Sequence, residues 1–276
     1  MLNLTDILKL VKATLEEDIG SGDMSAALIP AMQQAKATII TREPGILCGT
    51  AFAQAAFTTL DSGMQITWFH QDGNALAAGD LLCQLTGNAR ALLSAERTAL
   101  NFLQTLSGTA TLTNSYVKKI AHTKAKLLDT RKTLPLLRYA QKYAVTCGGG
   151  MNHRMGLFDA FLLKENHIMA AGSIAHAVAQ ARKLAAGLPL QVEVENEDEL
   201  HQALDAGVTR ILLDNFSIPA LAAAVSFTAG RATLEASGNI TLDNIAAVAQ
   251  TGVDYISVGS ITKYIMPLDL SMRFSV

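Results

Sequence analysis

Cysteine and net charge are scarce in this chain. Its 276 residues include only three cysteines, Cys48, Cys83 and Cys147, which are odd in number and far apart. This spacing provides neither a disulfide framework nor a zinc site, and it fits a reducing cytoplasm. The net charge of −2 and the pI near 6.3 provide no basic footprint for nucleic acid. We therefore expect a cytoplasmic protein that binds no nucleic acid.

Long hydrophobic runs are also missing. No apolar run approaches the roughly 20 residues that a membrane-spanning helix needs, so we expect no membrane association. The first 20 residues carry Lys9, Lys12, Glu16, Glu17 and Asp18, which does not fit a signal peptide. Half of the residues are hydrophobic and 17% are charged, which argues against disorder. The length allows one large domain or two modest ones.

Positive charge is concentrated between positions 129 and 167. This stretch holds six of the 22 lysines and arginines, two histidines and only three acids. The basic residues are Arg131, Lys132, Arg138, Lys142, Arg154, Lys164, His153 and His167. A single Lys or Arg is more often solvated surface. In a nearly neutral chain, however, such a concentration indicates a site for a small, multiply charged anion.

Apolar strands alternate with helical stretches after position 124. The predicted strands are 127–129, 161–164, 190–196, 211–215, 233–239 and 255–260. Strands at this spacing form βα units with a parallel sheet. Polar residues gathered where the strands end are typical of an α/β barrel. Because six strands are clear rather than eight, we expect an incomplete, irregular, TIM-like barrel.

The amino-terminal part is predicted to contain a helix over 4–18, extended segments over 36–49 and 65–87, and a mostly apolar helix over 90–107. The segment 65–87 resembles lipoyl carriers but lacks the lysine at the hairpin tip, so we interpret it as structural. A helix that is apolar on most sides is buried. Its Arg97 would then need a ligand anion or, equally well, a structural ion pair.

Acidic and small residues follow the later strands. Glu193 and Glu195 alternate along one strand and should share a face, with Asp214 beside them. Hard oxygen ligands with phosphate nearby favour Mg²⁺. The segments 237–239 and 258–260 follow the last two strands, where barrels bind phosphate through backbone N–H groups. These features predict a site for a phosphorylated sugar, a divalent metal and a second anion.

Several motifs resemble one family over nearly the whole chain, in order. They are Asp129-Thr130-Arg131-Lys132-Thr133, the segment 148–154, Lys164-Glu165-Asn166-His167, Glu193-Val194-Glu195-Asn196, Leu213-Asp214-Asn215-Phe216 and Ser257-Val258-Gly259. The chain resembles the quinolinate phosphoribosyltransferase family. The resemblance implies an α/β sandwich domain at 1–108, an α/β barrel at 109–265 and a tail, 266–276, that packs on the first domain. It also implies a homodimer whose active sites are shared across the interface.

The same resemblance implies a reaction: quinolinate and phosphoribosyl pyrophosphate give nicotinate mononucleotide, CO₂ and pyrophosphate in de novo NAD biosynthesis. The implied quinolinate ligands are Arg97 of the partner subunit, Arg131, Lys132, His153, Arg154 and Lys164. The implied ligands of phosphoribosyl pyrophosphate are Lys132, Lys164, Glu193, Asp214, Ser237, Gly238, Asn239, Gly259 and Ser260. The implied catalytic residues are Lys132, Lys164, Glu193 and Asp214. The two acids would also hold Mg²⁺, partly through the substrate.

One position departs from the family pattern, because Leu136 follows Pro135 where the family has glycine. Leucine tolerates positive φ poorly, so we expect a different local turn without effect on the chemistry.

Four alternatives stay open. A molybdenum-uptake-associated relative of the same fold lacks the motif that is intact at 164–167. A non-catalytic binding protein should have lost charged residues at the strand ends. A nicotinate-using transferase needs fewer cations. Another sugar-phosphate barrel enzyme would not explain Arg97 or Arg131.

Overall fold

The computed structural model describes residues 3–275. The helices are α1 (Leu4–Ile19), a 3-10 turn (Ala26–Leu28), α2 (Thr50–Leu60), α3 (Ala89–Ile120), α4 (Arg138–Cys147), α5 (Glu165–Ala171), α6 (Ile174–Leu184), α7 (Glu197–Asp205), α8 (Ile218–Thr228), α9 (Ile245–Gln250) and α10 (Ser260–Lys263). The strands are β1 (Gln34–Thr41), β2 (Gly45–Ile46), β3 (Gln65–Trp68), β4 (Ala75–Leu76), β5 (Leu81–Asn88), β6 (Lys126–Leu128), β7 (Phe161–Leu163), β8 (Leu190–Val194), β9 (Arg210–Asp214), β10 (Thr233–Ser237), β11 (Tyr255–Ser257) and β12 (Leu270–Ser275).

The chain divides into two compact units. The first comprises the residues up to Asn114, the segment Tyr139–Gly149 and the residues from Tyr264 onward. The second comprises Ser115–Arg138 and Gly150–Lys263. No helix in the described part of the chain combines the length and the apolar character that a bilayer crossing requires.

The first unit contains a four-stranded antiparallel sheet in the order β12-β1-β5-β3. The carboxyl-terminal strand β12 pairs with β1 from Lys36 opposite Ser275 to Thr41 opposite Leu270. Burial alternates along β1, so that one face of this strand packs into the core. The predicted helix at the amino terminus is confirmed as α1, which buries Ile7 and its neighbours at four-residue spacing.

Helix α3 differs from its prediction in length and in orientation. It extends to Ile120, well past the predicted end at 107. Glycine usually weakens a helix, but a Cβ at Gly108 would lie 2.1 Å from the Met266 carbonyl oxygen, so the close approach requires glycine. The prediction that Arg97 is buried was wrong. Arg97 is exposed, because the polar stripe that includes Asn101 is the face of α3 turned away from the core.

The second unit is built on a six-stranded parallel sheet in the order β6-β11-β10-β9-β8-β7. All six predicted strands are present, and helices connect most of them. Their middle residues are apolar except Glu235 in β10 and buried except Leu162 in β7, as expected for a parallel sheet that is covered on both faces. Met151 adds a single parallel bridge to Leu128 in β6. The predicted parallel α/β unit with fewer than eight strands is confirmed.

Short polar signals end and restart the helices between these strands. Gly207 and Gly252 both adopt positive φ directly after a helix, as the sequence predicts. The side chain of Asn196 accepts from the Glu199 N–H at 3.0 Å and caps α7. Ser217 caps α8 in the same way at 3.3 Å. Because each of these caps starts a helix soon after a strand, the loops after β8 and β9 are short. The polar residues in these loops therefore lie close to the carboxyl ends of the strands.

Candidate active site

A cavity of about 290 Å³ lies at the carboxyl ends of the parallel strands. Seven of its lining residues belong to the predicted site: Arg131, Lys132, His153, Arg154, Lys164, Glu193 and Ser237. Five further residues complete the lining: Thr130, Leu162, Leu212, Glu235 and Ser257. The topology explains this convergence, because parallel strands end at the same edge of the sheet.

Asp129 holds two of the motifs together. Its side chain is fully buried directly after β6. One carboxylate oxygen accepts from the backbone N–H of His153 at 2.9 Å, and the other accepts from the Asn152 side chain at 2.6 Å. A buried carboxylate needs such donors. Asp129 therefore fixes the segment that carries His153 and Arg154 beside β6.

Arg131 and Arg154 place two cations in this cavity. The Nε of Arg131 is buried and has no hydrogen-bond partner among the described residues. Arg154 donates to the Ala160 carbonyl at 3.2 Å. Burial, and then the charge of Arg131, lower the pKa of Arg154. Arginine nevertheless stays protonated in proteins, so this pair of like charges favours a bound anion.

Lys164 and Glu193 form an ion pair across the ends of β7 and β8. The local turn that presents Lys164 depends on His167, whose Nδ1 accepts from the Lys164 backbone N–H at 3.0 Å. The Glu193 side chain is only 12% exposed. Its charge is therefore neutralised within the cavity by Lys164. The Lys-Glu-Asn-His motif thus combines a cation with the residue that shapes its turn.

A chain of side chains orients Asp214 beside the cavity. Asn215 donates to Asp214 Oδ2 at 2.8 Å and accepts from Asn239 at 3.0 Å. Asn215 and Asn239 both adopt positive φ. A Cβ at Gly238 would lie 2.1 Å from the Asn215 side-chain oxygen, so only glycine fits there. Asp214, Gly238 and Asn239 lie at the ends of neighbouring strands but do not line the cavity.

Gly259 gives Lys132 room to cross the strand ends. A Cβ at Gly259 would lie 2.8 Å from Cδ of Lys132. The Lys132 carbonyl accepts from the Thr262 hydroxyl at 2.8 Å. The Ser260 hydroxyl lies 3.3 Å from the Tyr116 hydroxyl. Gly259 and Ser260 are thus near the lysine, although neither lines the cavity.

Three further predictions concern residues outside the cavity. Arg97 belongs to the first unit and is exposed. Glu195 lies beyond the end of β8, and the charge of Glu165 raises its pKa. Leu136, at the position where we expect a different turn, adopts a φ of 63°. This is the left-handed region that glycine favours.

Glu235 is a cavity residue that was not predicted from the sequence. This residue is nearly fully buried in β10, yet it lines the cavity. A signal was available, because it is the only charged residue in its strand and stands two positions before Ser237. Residues two apart in a strand share a face. Glu235 was therefore on the same face as a predicted site residue.

The carboxylates suit a magnesium ion that is completed by substrate oxygens. Glu193 lies one residue before the end of β8, Asp214 ends the neighbouring strand β9, and both offer hard oxygen ligands. Within residues 3–275, no group of three or more His, Cys, Asp or Glu side chains is arranged to hold a metal. Mg²⁺ is commonly bound through one or two carboxylates plus substrate phosphates. The residues present fit that mode of binding.

Comparison with known families covers almost the whole chain. Residues 109–273 match the family model "Quinolinate phosphoribosyl transferase, C-terminal domain". Residues 23–107 match the corresponding N-terminal domain. The chain belongs to the quinolinate phosphoribosyltransferase family.

Similar proteins within the family come from bacteria and plants. A nicotinate-nucleotide pyrophosphorylase structure from Francisella tularensis is 51% identical, with a TM-score of 0.97, over 100% of this chain and 98% of that one. The probable carboxylating nicotinate-nucleotide pyrophosphorylase of Bacillus subtilis is 40% identical over 98% of this chain and 94% of its own. A decarboxylating quinolinate phosphoribosyltransferase of Nicotiana tabacum is 39% identical over 97% of this chain and 82% of its own.

Proposed function

We propose that this protein is a pentosyltransferase that converts quinolinate and phosphoribosyl pyrophosphate into nicotinate mononucleotide, CO₂ and pyrophosphate for NAD biosynthesis. The single observation that carries the proposal is a cavity lined by cations from three motifs. One of these cations, Arg131, has a buried Nε donor without a partner among the described residues. Such a donor calls for an explanation. An anionic substrate supplies one, and the names of the similar proteins describe this reaction.

Quinolinate carries two adjacent carboxylates on a pyridine ring. Arg131 and Arg154 offer planar guanidinium groups, which bind carboxylates through paired hydrogen bonds. We assign them, with Lys132, Lys164 and His153, to the quinolinate subsite. A substrate with a single carboxylate would leave more of this charge unmatched, and so the cavity favours quinolinate over nicotinate.

We assign the ends of β8 to β11 to phosphoribosyl pyrophosphate. Glu193 and Asp214 would accept from the ribose hydroxyls and hold Mg²⁺, with Lys132 and Lys164 beside the pyrophosphate. The 5′-phosphate would contact the backbone at Ser237, Gly238, Asn239, Gly259 and Ser260. When bound, Mg²⁺ would neutralise charge on the departing pyrophosphate.

The reaction needs mainly orientation and fixed charge from the protein. Pyrophosphate leaves C1 of the ribose, and the pyridine nitrogen attacks the same carbon. Arg131 and Arg154 would hold the ring in line for this attack. The nitrogen then carries a positive charge. This charge stabilises the electron pair that stays on the ring carbon when the C–CO₂ bond breaks, and a proton then replaces the carboxylate.

We also propose a cytoplasmic homodimer in which Arg97 of the partner subunit completes the quinolinate subsite. The exposure of Arg97 supports this assignment, because a guanidinium on the outside of one chain is available to another. Cytoplasmic localisation agrees with Cys48, Cys83 and Cys147, which are all free thiols.

A coupled assay tests the function. Purified protein, Mg²⁺, quinolinate and phosphoribosyl pyrophosphate are mixed, and nicotinate mononucleotide, CO₂ and pyrophosphate are measured together. Nicotinate is the parallel substrate. We expect all three products in equal amounts from quinolinate and none from nicotinate. A folded protein that is silent with quinolinate would contradict the proposal and favour the molybdenum-uptake-associated alternative or a binding role.

A further inference from the structure

Glu235 is a buried carboxylate that the proposed reaction does not yet use. Its side chain is 2% exposed, and it is the only charged side chain in β10. Burial alone would raise its pKa, but hydrogen bonds from His153 and Gln191 lower the pKa below its ordinary value. A buried carboxylate that stays ionised needs donors with good geometry. The identity of those donors therefore indicates its role.

Gln191 and His153 are the partners of Glu235 Oε2, and Ser257 is a further side-chain hydrogen-bond partner that lowers the pKa of this carboxyl. The Gln191 amide donates to Glu235 Oε2 at 2.8 Å. The Gln191 carbonyl oxygen lies 2.9 Å from Nε2 of His153, and that nitrogen is 3.4 Å from Glu235 Oε2. An ionised carboxylate only accepts, so the amide must turn its NH₂ toward Glu235. Its oxygen then faces His153, which requires a proton on Nε2.

The other ring nitrogen of His153 is engaged as well. Nδ1 accepts from the backbone N–H of Arg154 at 2.7 Å, so it carries no proton. The backbone N–H of His153 donates to Asp129. The imidazole is thus the neutral Nε2–H tautomer, held from both sides. It connects the carboxylate in β10 to the peptide from which the Arg154 side chain starts.

We propose that Glu235 is a positioning residue of the quinolinate subsite, which acts through Gln191 and His153 to set the location of Arg154. This inference rests on the proposed function. It assigns the direct binding of the two substrate carboxylates to permanently charged groups, Arg131 and Arg154 above all. His153 is a neutral residue that positions Arg154, and the orientation of its ring depends on the negative charge of Glu235.

The first test replaces Glu235 with an amide of the same shape. In Glu235→Gln, two amides face each other, and because each amide can both donate and accept, the Gln191 amide can turn either end toward residue 235. We expect the KM for quinolinate to rise about tenfold, the effect of losing one hydrogen bond to a charged group. The KM for phosphoribosyl pyrophosphate and kcat should change less than threefold. The matched control is Leu234→Val, which perturbs the opposite face of β10.

The second test exchanges the two partners. The double variant Gln191→Glu with Glu235→Gln restores one carboxylate and one amide in reversed positions. The new carboxylate accepts from His153 Nε2–H, and the new amide donates to that carboxylate. We expect the KM for quinolinate to return to within threefold of the original. A role in packing alone would not produce this rescue, because the exchange keeps both volumes and changes only where the charge lies.

The third test does not depend on catalysis. Nitrogen NMR of the imidazole groups, with the His153 signals identified by their loss in His153→Gln, reports the tautomer directly. We expect the Nε2–H tautomer at neutral pH in the unmodified protein and a mixture in Glu235→Gln. An Nδ1–H or doubly protonated ring in the unmodified protein would overturn the inference. So would a Glu235→Gln variant whose KM for quinolinate matches that of Leu234→Val. If the unmodified protein makes no product, the proposed function fails, and the tautomer alone decides the role of Glu235.

Discussion

Cavities lie at both ends of the parallel sheet, and the larger one is not the candidate active site. The cavity at the amino-terminal ends of β9 to β11 measures about 360 Å³ and contains Lys124, Arg231 and Asp254. The cavity at the carboxyl-terminal ends measures about 290 Å³. Both contain ionisable side chains. The two ends differ in what those side chains contact.

The charged side chains at the amino-terminal end of the sheet are paired with other groups of the protein. Lys124 pairs with Asp254 at 2.7 Å, and the other oxygen of Asp254 accepts from the Leu234 N–H at 2.9 Å. Arg231 donates to the carbonyls of Thr228 and Phe227 at 3.1 and 2.8 Å, where α8 ends. These contacts satisfy the last carbonyls of a helix and join the strands. This end of the sheet therefore serves the fold.

The carboxyl-terminal end pairs Lys164 with Glu193 but leaves a buried donor of Arg131 available for a ligand. Arg131 has a buried Nε without a partner in the described chain, and Arg154 lies beside it. Among residues 3–275, four non-glycine residues adopt positive φ, and three of them lie in loops after strands of this sheet: Leu136, Asn215 and Asn239. Backbone strain of this kind gathers at functional sites. The comparison shows that unmatched charge and strain, rather than cavity size, distinguish the site.

The largest expected effect on activity comes from replacing one arginine at the carboxyl-terminal end, and the control replaces one arginine at the amino-terminal end. Arg131→Ala should lower kcat/KM for quinolinate by about 10³-fold, because truncating one partner of a buried charge pair costs about 4 kcal/mol. Calorimetry should detect no quinolinate binding. Arg231→Ala should leave activity unchanged and lower the free energy of unfolding by about 1 kcal/mol through lost hydrogen bonds. Unchanged quinolinate affinity in Arg131→Ala would remove that residue from the site.

A smaller effect should come from the side chain that orients Asp214. Asn215→Gly keeps the positive φ without strain but removes the amide that donates to Asp214. We expect the KM for phosphoribosyl pyrophosphate to rise about tenfold. The unfolding free energy should change little. If the affinity for phosphoribosyl pyrophosphate and the unfolding free energy both fell, Asn215 would be a structural residue, like Arg231 at the amino-terminal end.

The pH dependence of the unfolding free energy tests whether the buried charge of Glu235, in the cavity at the carboxyl-terminal end, also stabilises the fold. The pKa of Glu235 is lowered in the folded protein, so its stabilisation is present above the ordinary carboxyl pKa, about 4.3. It is lost as the pH falls through the lower folded value. We expect the difference in unfolding free energy between the unmodified protein and Glu235→Gln to shrink from pH 6 to pH 3 in urea titrations. Parallel curves would show that Glu235 does not titrate with folding.

The smallest expected effect concerns strain at Leu136. A left-handed conformation costs a non-glycine residue about 1 kcal/mol, so Leu136→Gly should raise the unfolding free energy by about 0.5 kcal/mol after the entropic cost of glycine. The control is Leu188→Gly, in a loop position without positive φ, which should be destabilised. Thermal unfolding of both variants measures the difference. A loss of stability in both would mean that the Leu136 turn stores no strain.

The sequence predicted which side chains meet at the carboxyl ends of the parallel strands, because that placement follows from local patterns. Each strand of the second unit is a short apolar run followed directly by the residues of a motif, such as Lys164 after β7 or Asp214 at the end of β9. Parallel strands bring these ends together without further information. The strands, and the edge of the sheet at which these motif residues meet, followed from this rule.

The sequence alone did not determine contacts between residues that are distant in the chain. Arg97 looked buried because its helix is mostly apolar, yet the exposed face of α3 depends on what packs against the other faces. Gly108 stands inside helix α3 because the Met266 carbonyl oxygen leaves no room there for a Cβ atom. Leu136 adopts the φ of a glycine because the turn is fixed by its surroundings.

The sequence by itself thus determined the fold class, the ends of the strands and the position of the charged motifs after those strands. Apolar periodicity and turn residues act over only a few positions, so these features are local. Only the tertiary structure decided which charges are neutralised. Lys164 pairs with Glu193, Lys124 pairs with Asp254, and the Nε of Arg131 has no partner in the described chain. Pairing depends on distances and burial that long-range packing sets, and an ion pair and a ligand site require the same residue types.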